Sequence, residues 1–129
     1  MKQAAAFKYN SVLLIDDDAI HSFITERILQ GCFFSKEVVA FANPVNALDY
    51  LKQIQNEKMP DYIFLDIFLP VFDGFEFLSE FEKISPPCHS KVVILTASIA
   101  PEDKERAMAF KCVVNWISKP LSEATLMLL

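Results

Sequence analysis

Glycine is nearly absent from this chain. Among 129 residues only Gly31 and Gly74 are glycine. A glycine-rich phosphate loop needs several residues without a Cβ close together, so nucleotide-binding loops of that kind are excluded. Cysteine is scarce as well. Cys32, Cys88 and Cys112 are odd in number, and no two have zinc or redox spacing. They read as buried or idle thiols of a reducing compartment. The two histidines, His21 and His89, are not at ligand spacing. His21 falls in the first turn of an expected helix and reads as a partly exposed helix residue. Basic stripes are missing and net charge is −5, so direct nucleic-acid binding is not expected. No apolar run approaches the roughly 20 residues of a membrane span. The start, Met1 to Lys8, is too short and too interrupted for a secretory signal. The expectation is a soluble, cytoplasmic chain with no membrane contact.

What is present is a large apolar fraction, 53%, in a length that suits one domain with one core. The most informative stretch is Val12-Leu13-Leu14-Ile15-Asp16-Asp17-Asp18. A short continuous apolar run reads as a strand buried on both faces. Packing does not ask for three acids at its end. Two carboxylates about 4 Å apart repel by roughly 4 kcal/mol at an effective dielectric near 20. A divalent cation is the usual compensation, because hard cations take oxygen ligands. Asp18 itself reads as a helix cap. With Asp66, these acids account for most of the negative charge.

Strands and helices alternate along the rest. After Asp18 a helix is expected through about Leu29, with Ile20, Phe23, Ile24 and Ile28 on one face and Gly31 as terminator. Val38 to Phe41 reads as a second strand. Asn43-Pro44 supplies a cap and an N1 proline for a helix with Ala47, Leu48, Leu51 and Ile54 inward. Tyr62 to Leu65 is a third strand, ending on Asp66. Asp73-Gly74 opens a helix with Phe77, Leu78, Phe81 and Ile84 inward, stopped by Ser85-Pro86-Pro87. Val92 to Leu95 is a fourth strand, ending on Thr96. Pro101-Glu102-Asp103 starts a fourth helix. Val113 to Ile117 is a fifth strand, followed by Lys119-Pro120 and an incomplete fifth helix. Five strands alternating with helices predict an α/β fold, a doubly wound parallel sheet with helices on both faces.

In such a sheet ligands bind outside the carboxyl ends of the strands. Those ends carry Asp16 and Asp17, Asp66, Thr96 and Lys119. Singly, each has a dull explanation: an acid after a strand is a common cap, and a lysine is usually solvated. Together, acids, a hydroxyl and an ammonium at one edge suggest phosphoryl chemistry. Carboxylates hold Mg²⁺ or Mn²⁺ with positions open for phosphate oxygens. One carboxylate can act as nucleophile, and the hydroxyl and ammonium neutralise the phosphoryl oxygens.

These residues, from about Ser11 to Leu121, resemble the receiver domain of bacterial two-component response regulators. The family's acidic pair matches Asp16-Asp17. Its phospho-acceptor matches Asp66 in Leu65-Asp66-Ile67-Phe68-Leu69-Pro70, followed by Asp73-Gly74. Its switch hydroxyl matches Thr96 in Leu95-Thr96-Ala97, and its lysine matches Lys119 in Ser118-Lys119-Pro120-Leu121. The resemblance implies a flavodoxin-like sheet in the order 2-1-3-4-5 and a cis bond at Lys119-Pro120. It divides the chain into an N-terminal extension, 1–10, and a receiver domain, 11–129. It implies a metal held by Asp17, Asp66 and the backbone carbonyl of Phe68, with Asp16 acting through metal-bound water. It implies a phosphoryl group taken from a sensor histidine kinase or a histidine phosphotransfer protein, self-catalysed transfer and loss rather than conventional enzyme turnover, and a downstream protein target. Thr96 and Trp116 take the family's switch positions. Three departures stand out. Phe68 replaces a commonly polar residue, Trp116 is bulkier than the usual aromatic, and Cys112 sits where glycine is common.

A haloacid-dehalogenase-like phosphatase is the alternative. It would use Asp16 as nucleophile and Asp18 as acid, with Thr96 and Lys119 in support. It leaves Asp66 unexplained and lacks a later acidic pair, since only Glu123 follows Lys119.

Overall fold

The computed structural model describes residues 6–54, 58–69, 72–84 and 90–129. In chain order the elements are β1 (Tyr9–Ile15), α1 (Ala19–Gly31), β2 (Ser35–Phe41), α2 (Pro44–Gln53) and β3 (Tyr62–Leu65). Then come α3 (Gly74–Ile84), β4 (Lys91–Thr96), α4 (Pro101–Met108), β5 (Val113–Ser118) and α5 (Glu123–Leu126). The strands form one parallel sheet in the order β2-β1-β3-β4-β5. Register aligns their carboxyl ends. Ile15 lies opposite Phe41 and Leu65, Leu65 opposite Ile94, and Thr96 opposite Ser118.

Alternation sends successive strand residues to opposite faces. Leu13, Ile15, Ile63, Leu65, Val92 and Ile94 pack with Leu48, Leu51, Phe77, Leu78, Phe81 and Ala107 from α2, α3 and α4. Val12, Leu14, Phe64, Val93, Leu95 and Ile117 pack with Leu29 of α1 and Leu126 of α5. Both faces are covered by helices, which is why the central strands read as unbroken apolar runs.

The caps follow the sequence signals. Asp18 accepts from the His21 N–H at 3.0 Å, and Asn43 accepts from the Val45 N–H at 2.7 Å ahead of Pro44. Ser122 and Thr125 form a reciprocal capping box at α5. The Lys119-Pro120 peptide is cis.

Four expectations are revised. In α1 the buried residues are Thr25 and Leu29, whereas Ile20 is 74% and Phe23 59% exposed. Residues 20, 23, 24 and 28 do share a helical face, but so do 21, 22, 25 and 29. Periodicity cannot choose between two stripes; the turn at residues 16–18 does, by bringing the second stripe onto the sheet. Gly31 is the last residue of α1, and the positive φ falls instead on Phe33 at 56°. The first strand begins at Tyr9, inside the segment read as an extension. Tyr9 packs its ring on Phe34 and Tyr62 at centroid distances of 4.9 and 5.0 Å. The second strand likewise begins earlier than read, at Ser35. The proline stop after α3, together with Pro70, Cys88 and His89, lies outside the described residues.

Candidate functional site

Asp66 leaves β3 with its N–H bonded to the Ile15 carbonyl at 2.9 Å, and only 6% of it is exposed. Both of its carboxylate oxygens are held. Oδ1 accepts from the Phe68 N–H at 2.9 Å and from the Thr96 hydroxyl at 3.1 Å, and Oδ2 accepts from Lys119 Nζ at 2.8 Å. Thr96 closes β4 and is fully buried. Lys119 follows β5, where its N–H donates to the Thr96 carbonyl at 2.9 Å. Parallel register thus brings together groups far apart in sequence.

Asp16 leaves β1 with its N–H bonded to the Phe41 carbonyl at 3.1 Å. Its Oδ1 accepts from the Asp18 N–H at 2.9 Å, and its Oδ2 meets Lys119 Nζ at 2.8 Å and His21 Nδ1 at 2.9 Å. Asp17 is exposed. Asp16, Asp17 and Asp66 each present a carboxylate oxygen within 4.8 Å of the others. At that separation two carboxylates repel by roughly 3 kcal/mol at an effective dielectric near 20. Burial pushes the Lys119 ammonium down, but hydrogen bonds and attraction from Asp16 and Asp66 outweigh it and leave its pKa raised. One ammonium does not balance three acids. A compact set of hard oxygen donors with an exposed member fits a small divalent cation such as Mg²⁺.

The remaining expected residues stand around this centre. Phe68 is adjacent to Asp66 through its N–H, with a side chain 55% exposed. Trp116, on β5, is half-buried and does not enter the acidic cluster. It borders a groove of about 500 Å³ with Ser98, Ile99, Ala100, Pro101, Lys104 and Ser118. Asp18 stays outside the cluster. Its carboxyl serves as the cap of α1, accepting the His21 N–H that chiefly holds it below the usual range. His21 is a residue that sequence reasoning missed. The available signal was its place five residues after Asp16, just past the turn from strand to helix.

The family model described as "Response regulator receiver domain" matches residues 12–129. The chain belongs to this family, and so is a receiver domain of two-component signalling. It is 30% identical over 113 residues to the probable methanogenesis regulatory protein FilR2 of Methanothrix harundinacea, covering 86% of this chain and 72% of that protein. It is 29% identical to the chemotaxis protein CheY of Halobacterium salinarum, covering 90% and 89% of the two chains. A crystal structure of a two component response regulator from Cytophaga hutchinsonii superposes with a TM-score of 0.82 at 31% identity, over 93% of this chain and 92% of that one. Two histidine kinases among the curated relatives are matched over only 13% and 8% of their length. None of these relatives is a haloacid-dehalogenase-like phosphatase.

Proposed function

We propose that Asp66 accepts a phosphoryl group from a phosphohistidine on a sensor histidine kinase or a histidine phosphotransfer protein. The observation that carries this reading is the set of donors on Asp66. An ammonium, a hydroxyl and a backbone N–H already converge on its two oxygens at 2.8, 3.1 and 2.9 Å. A carboxylate oxygen of Asp66 forms the new P–O bond as the donor's P–N bond breaks and the imidazole leaves. Lys119, Thr96 and the Phe68 N–H then meet the charge on the phosphoryl oxygens. Asp17, Asp66 and the Phe68 carbonyl would hold Mg²⁺ or Mn²⁺, with Asp16 acting through a bound water. Such a cation neutralises phosphoryl charge in the transition state. The same groups support its loss: water attacks phosphorus, the P–O bond to Asp66 breaks, the carboxylate is regenerated and inorganic phosphate leaves, so phosphorylation and dephosphorylation are self-catalysed. The domain acts in the cytoplasm, and its output is a changed surface around α4, β5 and α5 that a downstream protein reads.

Labelling with acetyl phosphate in Mg²⁺, with the modified residue located by mass spectrometry, tests this. Asp66→Asn removes the label, Asp17→Ala removes both label and metal binding without unfolding the domain, and Asp16→Asn only weakens labelling. Label that persists in Asp66→Asn and disappears in Asp16→Asn overturns the assignment.

A further inference from the structure

We propose that His21 is a positioning residue for the Asp16 carboxylate, steadied by a single water that it shares with Ser22 and Thr25. The inference rests on the metal reading of the acidic edge.

Asp16 is held at both oxygens. Oδ1 takes the Asp18 N–H at 2.9 Å, and Oδ2 is met by Lys119 Nζ at 2.8 Å and His21 Nδ1 at 2.9 Å. Asp17 is exposed beside it. This gives the two adjacent acids different tasks: one is free to reach a cation, and the other is fixed in direction to receive that cation's water. A carboxylate can only accept, so Nδ1 carries a proton whatever the charge of the ring. The opposite nitrogen, Nε2, points inward and is buried without a hydrogen-bond partner among the described residues. Ser22 Oγ and Thr25 Oγ1 are in the same condition.

All three residues line one small cavity that also touches Asp16 and Asp66, with a volume of about 10 Å³. That is roughly the room one water needs, and a buried water needs two to four polar partners. Apolar packing does not account for Thr25. It is 2% exposed, and the apolar part of the cavity wall beside it is Leu14, Ile15, Phe64 and Leu95, against which valine would fill the same volume. Hydrogen-bonding partners of this indirect kind orient the groups around a metal, and their loss typically costs about 10- to 100-fold in affinity.

Calorimetric titration with Mg²⁺, alongside thermal unfolding to show that each chain is folded, separates the possibilities. Asparagine carries its amide near the place of Nδ1, and glutamine carries its amide near the place of Nε2. His21→Asn therefore keeps near-native Mg²⁺ affinity, whereas His21→Gln and His21→Leu lose about tenfold or more. The imidazole ¹⁵N spectrum, with His21→Leu identifying the signal, assigns the proton to Nδ1, and Thr25→Val shifts that signal. If the native chain and Asp17→Asn bind Mg²⁺ equally, the metal reading fails and this proposal with it. If Asp17→Asn loses Mg²⁺ while the three His21 variants titrate like the native chain, the metal site stands and the role of His21 is overturned. An Nδ1 without a proton also overturns it, and a spectrum unmoved by Thr25→Val overturns the shared water.

Discussion

The Cys112 thiol is pushed from its ordinary value of 9.0 up to about 12, first by burial and then by the neighbouring Glu82 carboxylate. Glu82 also accepts the Cys112 N–H at 3.0 Å, so one α3 side chain ties down the turn before β5. The thiolate is the reactive form, and near pH 8 this site holds little of it. Iodoacetamide at pH 8 should modify Cys112 far more slowly in the folded chain than in the unfolded one, and Glu82→Gln should speed the reaction. Modification at equal rates in both states refutes the protected thiol. The linkage has a definite sign. The folded pKa is raised, so this group's contribution to stability is complete below about pH 9 and is lost as pH rises toward 12. A chain with Cys112→Ala should lose less stability across that window. At this scale Asp66, Thr96 and Lys119 were legible because each ends a strand, where the topology fixes direction. His21 was not, because its partner is chosen by the path of the turn after β1, and residue type alone did not reveal that path.

Gly74 opens α3 directly beneath the Asp66 loop. A Cβ built there would lie 2.5 Å from the Ile67 Cα and 3.0 Å from the Asp66 carbonyl oxygen. Both contacts are backbone, so a side chain could be admitted only by displacing the loop that carries Asp66. Gly74→Ala should therefore cost about 1–3 kcal/mol and also slow labelling of Asp66. Denaturant unfolding and acetyl phosphate labelling on the same sample check both effects, and an unaltered pair of values contradicts the contact. The start of α4 shows another device. Its N-cap, Ala100, has no capping side chain. Ser98 substitutes, accepting the Ala100 N–H at 3.2 Å and donating to Asp103 at 2.7 Å. Ser98→Ala should lower stability by about 1 kcal/mol, the usual cost of a lost cap, measured as a shift in denaturant midpoint. Elements were legible where caps and apolar stripes agreed, as in α2 and α3. The inward face of α1 was not, since its most apolar stripe is the exposed one. In that helix apolar content and sheet contact point in different directions.

Across the whole molecule, a hydrogen-bonded chain joins Asp66 to α4. The Thr96 hydroxyl donates to Asp66 and accepts from the Ser98 N–H at 3.3 Å, and Ser98 reaches Asp103. The doubly wound architecture followed from the alternation of elements alone. The strand order came through the family resemblance, because periodicity says nothing about which strands are neighbours. Nor did the sequence indicate that Thr96 already touches Asp66 before any phosphoryl group arrives. On the proposed reading, switching is therefore an exchange of partners at Thr96, without a long approach. Only a ligand that interacts differently with two states can shift their populations, and a phosphoryl oxygen is such a ligand if it draws the hydroxyl away from Ser98. The groove of about 500 Å³ between the β4–α4 connection and Trp116 is where that change can be read. Trp116 is the sole tryptophan, so its emission is an unmixed signal. Beryllofluoride with Mg²⁺, as a phosphoryl analogue, should change that emission, and Thr96→Ala should blunt the change while leaving the analogue bound at Asp66. An unchanged spectrum, with occupancy at Asp66 shown by fluorine NMR, would refute coupling through Trp116. It would leave Asp66 as acceptor and confine the response to the Thr96–Ser98–Asp103 chain at the head of α4.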